Sequence, residues 1–524
     1  MTFAKRFAFH TVLSIVFGLI FFLPDFIFHL FYENYFIFNI KIYKEFLAFI
    51  AINFIILSIY SFRVKFLFYA LFATFSFAEL IHYSFFHSLI MPYEIPLLFS
   101  QSEEILDSLN GVIRYIVVPI SLYLLQLFIL FFLSRQTHNL VVKYKRYPIA
   151  VIVLVLMAGS IVASFRKEGD VFLPKAESSS IKNLYNAISW ANGKIIPSYL
   201  FDKTKDIRFE PYRVEKIDEQ KYRNIIVVMG ESLGAKYMSL YGFGKKTTPK
   251  LDSLKDRIEY SWGYSCAVTT DVAVPTFFLL KREPKNSIVF LKGETNLFSL
   301  AKKAGYKTHY ITTQKLTILG GFMANSVDIV KSRKDFDPPI YDEYLLKYLD
   351  RVDFSKKNFI VLHQRNSHSP YDQNTPKEFY KFKFKGLDFK EYMRGSYFNS
   401  LLYTDHILYK VIKKASSINS PTIVFITSDH SEMMGYEDEK GRFGHTYLGF
   451  EDAKVPFIVY KNRLVKDMNL SLKNTISHYQ FSKMIAKSIG YKIINPNENG
   501  EFYINGIDID GLNGYISYKE LGKL

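Results

Sequence analysis

One cysteine, Cys266, stands in 524 residues, and that scarcity closes several routes. No intramolecular disulfide framework can staple the fold, and no cysteine-rich zinc knuckle can form. Any metal must be held by His, Asp, Glu or hydroxyl oxygens. Acidic residues are also short, 49 against 66 Lys and Arg, a formal charge of +17. Such an excess suits an anionic partner, either nucleic acid or an anionic lipid surface. Internal repeats and low-complexity tracts are lacking. Phenylalanine and tyrosine, by contrast, abound (50 and 38), and most of the Phe crowds the first third. The chain is too long for one ordinary domain. Its composition divides it into a membrane-like first third and an enzyme-sized soluble remainder, which tips the choice of anionic partner to lipid and away from nucleic acid.

A hydrocarbon core needs about 20 mainly apolar residues per helix. Five segments qualify: Phe7–Leu30, Phe46–Phe62, Phe66–Ile90, Tyr115–Ser134 and Pro148–Phe165. The first is too long for a signal h-region and lacks a small-residue cleavage site; Pro24 and Asp25 are expected to kink or end its apolar run. Basic residues set the topology. Lys5 and Arg6 precede the first segment, Arg63 and Lys65 separate the second and third, and Arg135, Lys143, Lys145 and Arg146 separate the fourth and fifth. The loop after the third segment, "QSEEILDSLN", is acidic. The N-terminus is therefore expected in the cytoplasm, and an odd number of spans puts the large C-terminal part outside, in the periplasm of a double-membraned bacterium. His82 and His87 are expected to be wet at the outer interface; Glu79 is either wet there or functional within the membrane. The stretch "SSSIKNLYNAISWANGK" has serine capping residues, then Ile181, Leu184, Tyr185 and Ile188 at helical spacing, then Gly193 as a stop. It reads as an amphipathic helix lying on the bilayer or packed on the soluble part.

From Asn224 onward, apolar β-prone runs alternate with helical patterns: "NIIVVMG", "KTHYITT", "NFIVLHQ", "TIVFITSD" and "VPFIVY". That alternation implies a mostly parallel sheet covered by helices, and ligands of such sheets bind outside the carboxyl ends of the strands. Glu231 follows the first run, His363 and "RNSHSPY" with His368 the third, Asp429, His430 and Glu432 the fourth, and His445 lies in the glycine-flanked "GRFGHTY". Each alone is commonplace: an "SDH" after a strand is more often a capped helix start, and a Glu there is usually solvated. Their joint placement implies one N/O-ligand site, for which zinc is the best match and manganese and magnesium weaker ones.

Within "SCAVTTDVAVPTFFLL", Thr270 can lie at a helix N-terminus, where backbone N–H groups and the helix dipole favour an anion such as phosphate. A threonine hydroxyl is a poor nucleophile at neutral pH, but coordination to a dication lowers its pKa. Without a metal cluster, the plain reading of this threonine is a helix cap.

The motifs "GESLGAKYMSLYGFGKKTTPKLDSL", "TTDVAVP", "NSHSPY", "YFNSLLYTD" and "SDHSE…GHTY", in this order, resemble the membrane-bound phosphoethanolamine transferases of the alkaline phosphatase/sulfatase superfamily. The resemblance covers essentially the whole chain. It implies an N-terminal five-helix transmembrane domain (1–165), an interfacial linker (166–223) and a C-terminal α/β catalytic domain of alkaline phosphatase/sulfatase-like type (224–524) in the periplasm, tethered to the inner membrane. It further implies that Glu231, Thr270, Asp429 and His430 are zinc ligands, with Thr270 also the nucleophile. His368 and His445 then bind the substrate phosphate or a second zinc, with Glu432 beside them, and Glu104 helps to hold the ethanolamine head. Phosphatidylethanolamine is the implied donor, lipid A or another envelope component the acceptor, and resistance to cationic peptides the outcome.

Two departures stand out. Family members commonly carry disulfides in the soluble domain, and this chain can form none. Ser232 and Leu233 replace the more usual threonine–serine, at a position expected not to touch the metal. A sulfatase proper is disfavoured, because Cys266 lacks the Pro and Arg of a Cys-x-Pro-x-Arg motif. A phosphoglycerol transferase using phosphatidylglycerol shares the scaffold and the threonine; a non-catalytic lipid-binding membrane protein is the reading from a different class.

Overall fold

The computed structural model of the chain describes residues 2–32, 35, 42–92, 94–95, 98, 116–165, 179–197, 212–217, 222–284, 296–314, 326–386, 388–437, 441–465, 471–506 and 515–517. The chain forms two compact units, Met1–Asp202 with Asp438–Phe443, and Lys203–Glu437 with Gly444–Leu524.

The first unit is built on five apolar helices: α1 (Phe3–Phe31), α2 (Ile42–Leu57), α3 (Phe62–Phe86), α4 (Val117–Thr137) and α5 (Tyr147–Ser164). Among the described residues, all but α2 are long and apolar enough to cross a membrane. Their outer faces expose Leu19, Leu67, Leu124, Phe128 and Leu154, as helices in lipid do. Inside, the abundant phenylalanines pack ring on ring: Phe21 meets Phe49 at 5.6 Å and Phe72 at 5.7 Å, and Phe17 stacks on Tyr69 at 5.0 Å. Helix α1 does not end at Pro24 but continues to Phe31. Proline has no N–H for the carbonyl four residues back, and that carbonyl, Ile20 O, instead accepts from Gln126 Nε2 of α4 at 3.1 Å. The freed group thus finds a partner on a neighbouring helix.

Of the three polar residues at the end of α3, Glu79 and His87 are buried and His82 is half-buried. Glu79 is fully buried, His87 is buried in a left-handed residue (φ 54°) that ends α3, and His82 lies between Ser88 O (2.7 Å) and Glu94 (3.3 Å). For Glu79 the reason is a further helix, α6 (Ser180–Trp190), which belongs to this unit and packs against α3 and α5. Its apolar face, Leu184 and Ala187, clusters with Ile90 and Ile95. Ser179 caps it, accepting from Lys182 N at 3.3 Å. Its first turn then meets acids from three successive membrane helices. Ser180 donates through its N–H (3.1 Å) and hydroxyl (3.0 Å) to Asp25 of α1; Lys182 Nζ meets Glu45 of α2 at 2.9 Å; Asn183 Nδ2 donates to Glu79 of α3 at 2.6 Å. Nor does Gly193 stop the helix, which continues in a wider turn over Ala191–Ile195. A Cβ on Gly193 would stand 2.3 Å from Ser160 O, so glycine is there to let this turn approach α5 closely.

The second unit holds a seven-stranded sheet. Its strands in chain order are β1 (Asn224–Gly230), β2 (Glu259–Tyr264), β3 (Lys307–Thr312), β4 (Ile329–Lys331), β5 (Asn358–His363), β6 (Thr422–Ser428) and β7 (Lys454–Lys461). The spatial order is β2-β7-β6-β1-β5-β3-β4; β7 pairs antiparallel with both neighbours, and the other pairings are parallel. Every residue of β1, β5 and β6 is buried, as central parallel strands covered on both faces must be. Each fully buried Ile or Val there stabilises the fold by about 1.5–3 kcal/mol. Edge strand β2, "EYSWGY", half exposed and carrying a charge and a glycine, gives no apolar run by which to recognise it.

Candidate metal centre and active site

Register builds the centre. Strands β1 and β6 are neighbours with Gly230 opposite Ser428, so the next residues, Glu231 and Asp429, leave the sheet side by side, and His430 follows. The backbone then turns sharply. Ser232 takes a left-handed conformation (φ 51°) and donates its N–H to Asp429 Oδ1 at 2.9 Å, while Leu233 N–H donates to Ser428 Oγ at 2.8 Å. The Ser232 hydroxyl donates to Glu231 Oε1 at 2.9 Å. Expected to stand apart from the metal, Ser232 therefore braces two of its candidate ligands. Thr270 opens helix α7 (Thr270–Phe278) behind its N-cap Thr269, and its Oγ1 lies 3.2 Å from His430 Nε2 and 3.3 and 3.4 Å from the Glu231 oxygens.

Glu231, Asp429 and His430 are all buried and can each point one ligand atom to within 4.8 Å of the others. His430 Nδ1 lies 2.8 Å from Ser431 O. A carbonyl only accepts, so Nδ1 carries the proton and Nε2 turns a lone pair into the site. Asp429 Oδ2 is buried, receives no hydrogen bond and stands 3.5 Å from that nitrogen. Burial, then the Asp429 charge, pushes Glu231 well above the usual carboxylate range. Burial would raise Asp429, but the charges and hydrogen bonds of its neighbours outweigh it and hold Asp429 below the usual carboxylate range; burial also lowers His430. Two buried carboxylates, an inward lone pair and a carboxylate oxygen without a donor fit a dication, which would relieve the like-charge repulsion. The all-N/O donor set, completed by the Thr270 hydroxyl, matches zinc.

A second group, His430, Glu432 and His445, adjoins the first. His445 Nδ1 is 3.1 Å from Glu432 Oε2, and its ring lies 4.1 Å from that of His430. Burial alone would lower His445, but the Glu432 carboxylate raises it, and Glu432 is lowered in turn. Tyr371 donates to the other Glu432 oxygen at 2.9 Å. His368 is in neither of these two groups; it lies half-buried in the loop after β5, its Nδ1 on Ser369 O at 2.5 Å. Glu104 lies outside the described residues. Gln314 and Tyr371 are site residues that sequence reasoning missed. Gln314 follows the β3 run directly, and that position after a strand was the available signal.

Residues 223–491 match the family model described as Sulfatase. Among curated proteins, the Kdo(2)-lipid A phosphoethanolamine 7''-transferase of Escherichia coli (strain K12) is 25% identical over 249 residues, 45% of this chain and 44% of that protein. The chain thus spans less than half the length of that relative. Among solved structures, the integral membrane protein lipooligosaccharide phosphoethanolamine transferase A of Neisseria meningitidis aligns over 92% of this chain and 95% of its own, with a TM-score of 0.55 at 17% identity. The C-terminal periplasmic domain of EptC from Escherichia coli, in complex with Zn, covers 60% of this chain and 97% of its own, with a TM-score of 0.50 at 21% identity. The second unit therefore has the alkaline phosphatase/sulfatase-like α/β fold, and the chain is a membrane protein with a soluble C-terminal domain.

Proposed function

This chain belongs to the sulfatase family, its match covering more than half of the 524 residues, and from that premise we propose that it is a zinc-dependent transferase. It moves phosphoethanolamine from phosphatidylethanolamine to lipid A or another envelope acceptor, through a phosphoethanolamine–threonine intermediate on Thr270. The observation that carries this reading is the position of Thr270 Oγ1, 3.2 Å from His430 Nε2 at the opening of α7. The chemistry named by the relatives, phosphoethanolamine transfer to lipid A, supports the substrate class.

Glu231, Thr270, Asp429 and His430 would hold the zinc, which when bound supplies Lewis-acid charge neutralisation and lowers the pKa of the Thr270 hydroxyl. With the His430 Nε2 lone pair committed to the ion, the Glu231 carboxylate, 3.3 Å away, is the acceptor within reach of the Thr270 proton. The Thr270 oxygen attacks phosphorus, the bond from phosphorus to the glycerol oxygen breaks, and diacylglycerol leaves with a proton. His445, whose pKa the Glu432 carboxylate raises against burial, would meet the phosphoryl oxygens from the flank of His430. An acceptor oxygen then attacks the same phosphorus and frees Thr270. Tethering to the inner membrane, with the soluble domain in the periplasm, confines the catalyst to the surface that holds both lipids and raises their effective concentration.

Thr270→Ala is expected to abolish transfer of label from phosphatidylethanolamine, with the protein still membrane-inserted and folded; labelled phosphatidylglycerol serves as the competing donor. Mass spectrometry of envelope lipids reads the product. Undiminished modification in Thr270→Ala would remove the nucleophile assignment, and turnover of phosphatidylglycerol alone would redirect the substrate class.

A further inference from the structure

The ligand atoms are braced unevenly. Asp429 uses one oxygen for backbone donors and keeps the other for the site; His430 divides its two nitrogens the same way. Thr270 Oγ1 stands between the two Glu231 oxygens, 3.4 Å from Oε1 and 3.3 Å from Oε2; each oxygen has one further donor, and these two donors differ in kind. Oε1 accepts from the Ser232 hydroxyl at 2.9 Å and faces His430 Nε2 at 3.6 Å. That hydroxyl turns about one bond and can give way. Oε2 accepts from Gln314 Nε2 at 2.5 Å, and this amide cannot turn. The same nitrogen donates to Gln364 O at 2.7 Å and lies 3.1 Å from His363 Nε2. Reversing the amide would set its oxygen against a carboxylate and a carbonyl, both acceptors, so its orientation is determined. Gln314 is buried, and its backbone is held at both ends, N–H to Thr312 Oγ1 (2.9 Å) and carbonyl from Arg333 N–H (3.0 Å). Behind it, His363 Nδ1 meets Tyr310 OH at 2.7 Å.

We propose that Gln314 is a positioning residue for the metal: its carboxamide ties Glu231 Oε2 so that the carboxylate meets the ion through Oε1 alone. As a neutral donor it also favours the ionised carboxylate that metal binding requires. Partners of this kind orient metal ligands in general, and here the partner comes from the end of β3, a strand that contributes no ligand itself. The inference rests on the metal reading of the site given above.

The test uses full-length protein, stripped of metal and titrated with zinc against a chromophoric chelator. Gln314→Met keeps the side-chain length and loses the donor. Its zinc affinity is expected to fall by about 10–100-fold. Loaded with Co(II), the variant is expected to show a weaker visible absorption than wild type, because a freed Oε2 lets the carboxylate bind through both oxygens and raises the coordination number. Tyr310→Phe removes only a hydroxyl on the far side of His363 and is expected to bind zinc as wild type does. Should Gln314→Met fail to fold, Gln314→Leu, smaller and likewise without the donor, takes its place. Unchanged zinc affinity and an unchanged Co(II) spectrum in the Gln314 variant overturn the inference and leave the metal site standing. An equal loss in Tyr310→Phe overturns it as well, since the effect is then one of packing. A wild-type protein that takes up no zinc removes the metal reading and this inference together.

Discussion

Cys266 sits four residues before Thr270, yet its surroundings make it inert. Its Sγ lies 3.4 Å from Ala273 O and 3.5 Å from His478 Nδ1, and burial pushes the thiol up to about 12. The thiolate is the reactive form, so at pH 8 only about 1 in 10⁴ molecules carries it. Alkylation by iodoacetamide is expected to be very slow in the folded protein and fast in denaturant. In the folded state the rate should climb about tenfold per pH unit without levelling off by pH 10, since the titration lies above that range. Mass spectrometry of the Cys266 peptide reads it, and prompt labelling of the native protein at pH 8 would contradict this burial. Thr270, Glu231, Asp429 and His430 were legible because each follows or opens an apolar run whose end the sheet must bring to one edge. Gln314 and the left-handed Ser232 were not, because a glutamine or serine after a strand acquires meaning only once register sets it against a particular carboxylate oxygen.

Between elements, the legible features were the ones with their own periodicity. Apolar runs of strand length marked β1, β3, β5, β6 and β7, and long apolar segments marked α1 to α5. Strands β2 and β4 lie at the two edges of the sheet and carry no such run. The clamp on α6 escaped for a different reason. Asp25, Glu45 and Glu79 are scattered over three helices, and their convergence on Ser180, Lys182 and Asn183 is a product of helix packing alone. Buried acids within membrane helices are costly unless donors meet them, and these contacts are worth roughly 0.6–2 kcal/mol each. Asp25→Ala leaves the Ser180 N–H without its acceptor, so amide hydrogen exchange over residues 180–190 is expected to quicken. Glu79→Ala is expected to act on the same turn, and because both loosen one element, the double variant should lose less than the sum. Unchanged protection of α6 in both single variants would show that its apolar face alone holds it.

Taken whole, the chain joins a unit of apolar membrane helices to one stabilised by its own buried sheet, and the candidate metal centre belongs wholly to the second. Removing the ion is expected to act on that unit selectively. A ligand present at 100 times its dissociation constant stabilises the state it binds by about 2.7 kcal/mol, so a chelator should lower the melting of the sheet unit and leave α1 to α5 unaffected. Hydrogen exchange followed peptide by peptide separates the two units in the intact protein. The sign for Glu231→Gln then depends on the ion. With metal bound, this variant has lost a charged ligand and is expected to melt below wild type. Stripped of metal, wild type holds the Glu231 carboxyl where burial first and the Asp429 charge second push it upward, so its ionisation at neutral pH costs the fold stability. Glutamine removes that cost, so metal-free Glu231→Gln is expected to equal or exceed metal-free wild type in melting temperature. Calorimetry with and without chelator reads this crossing. Curves for the two proteins that stay in the same order under both conditions would mean that the carboxylate pair serves the fold and not an ion.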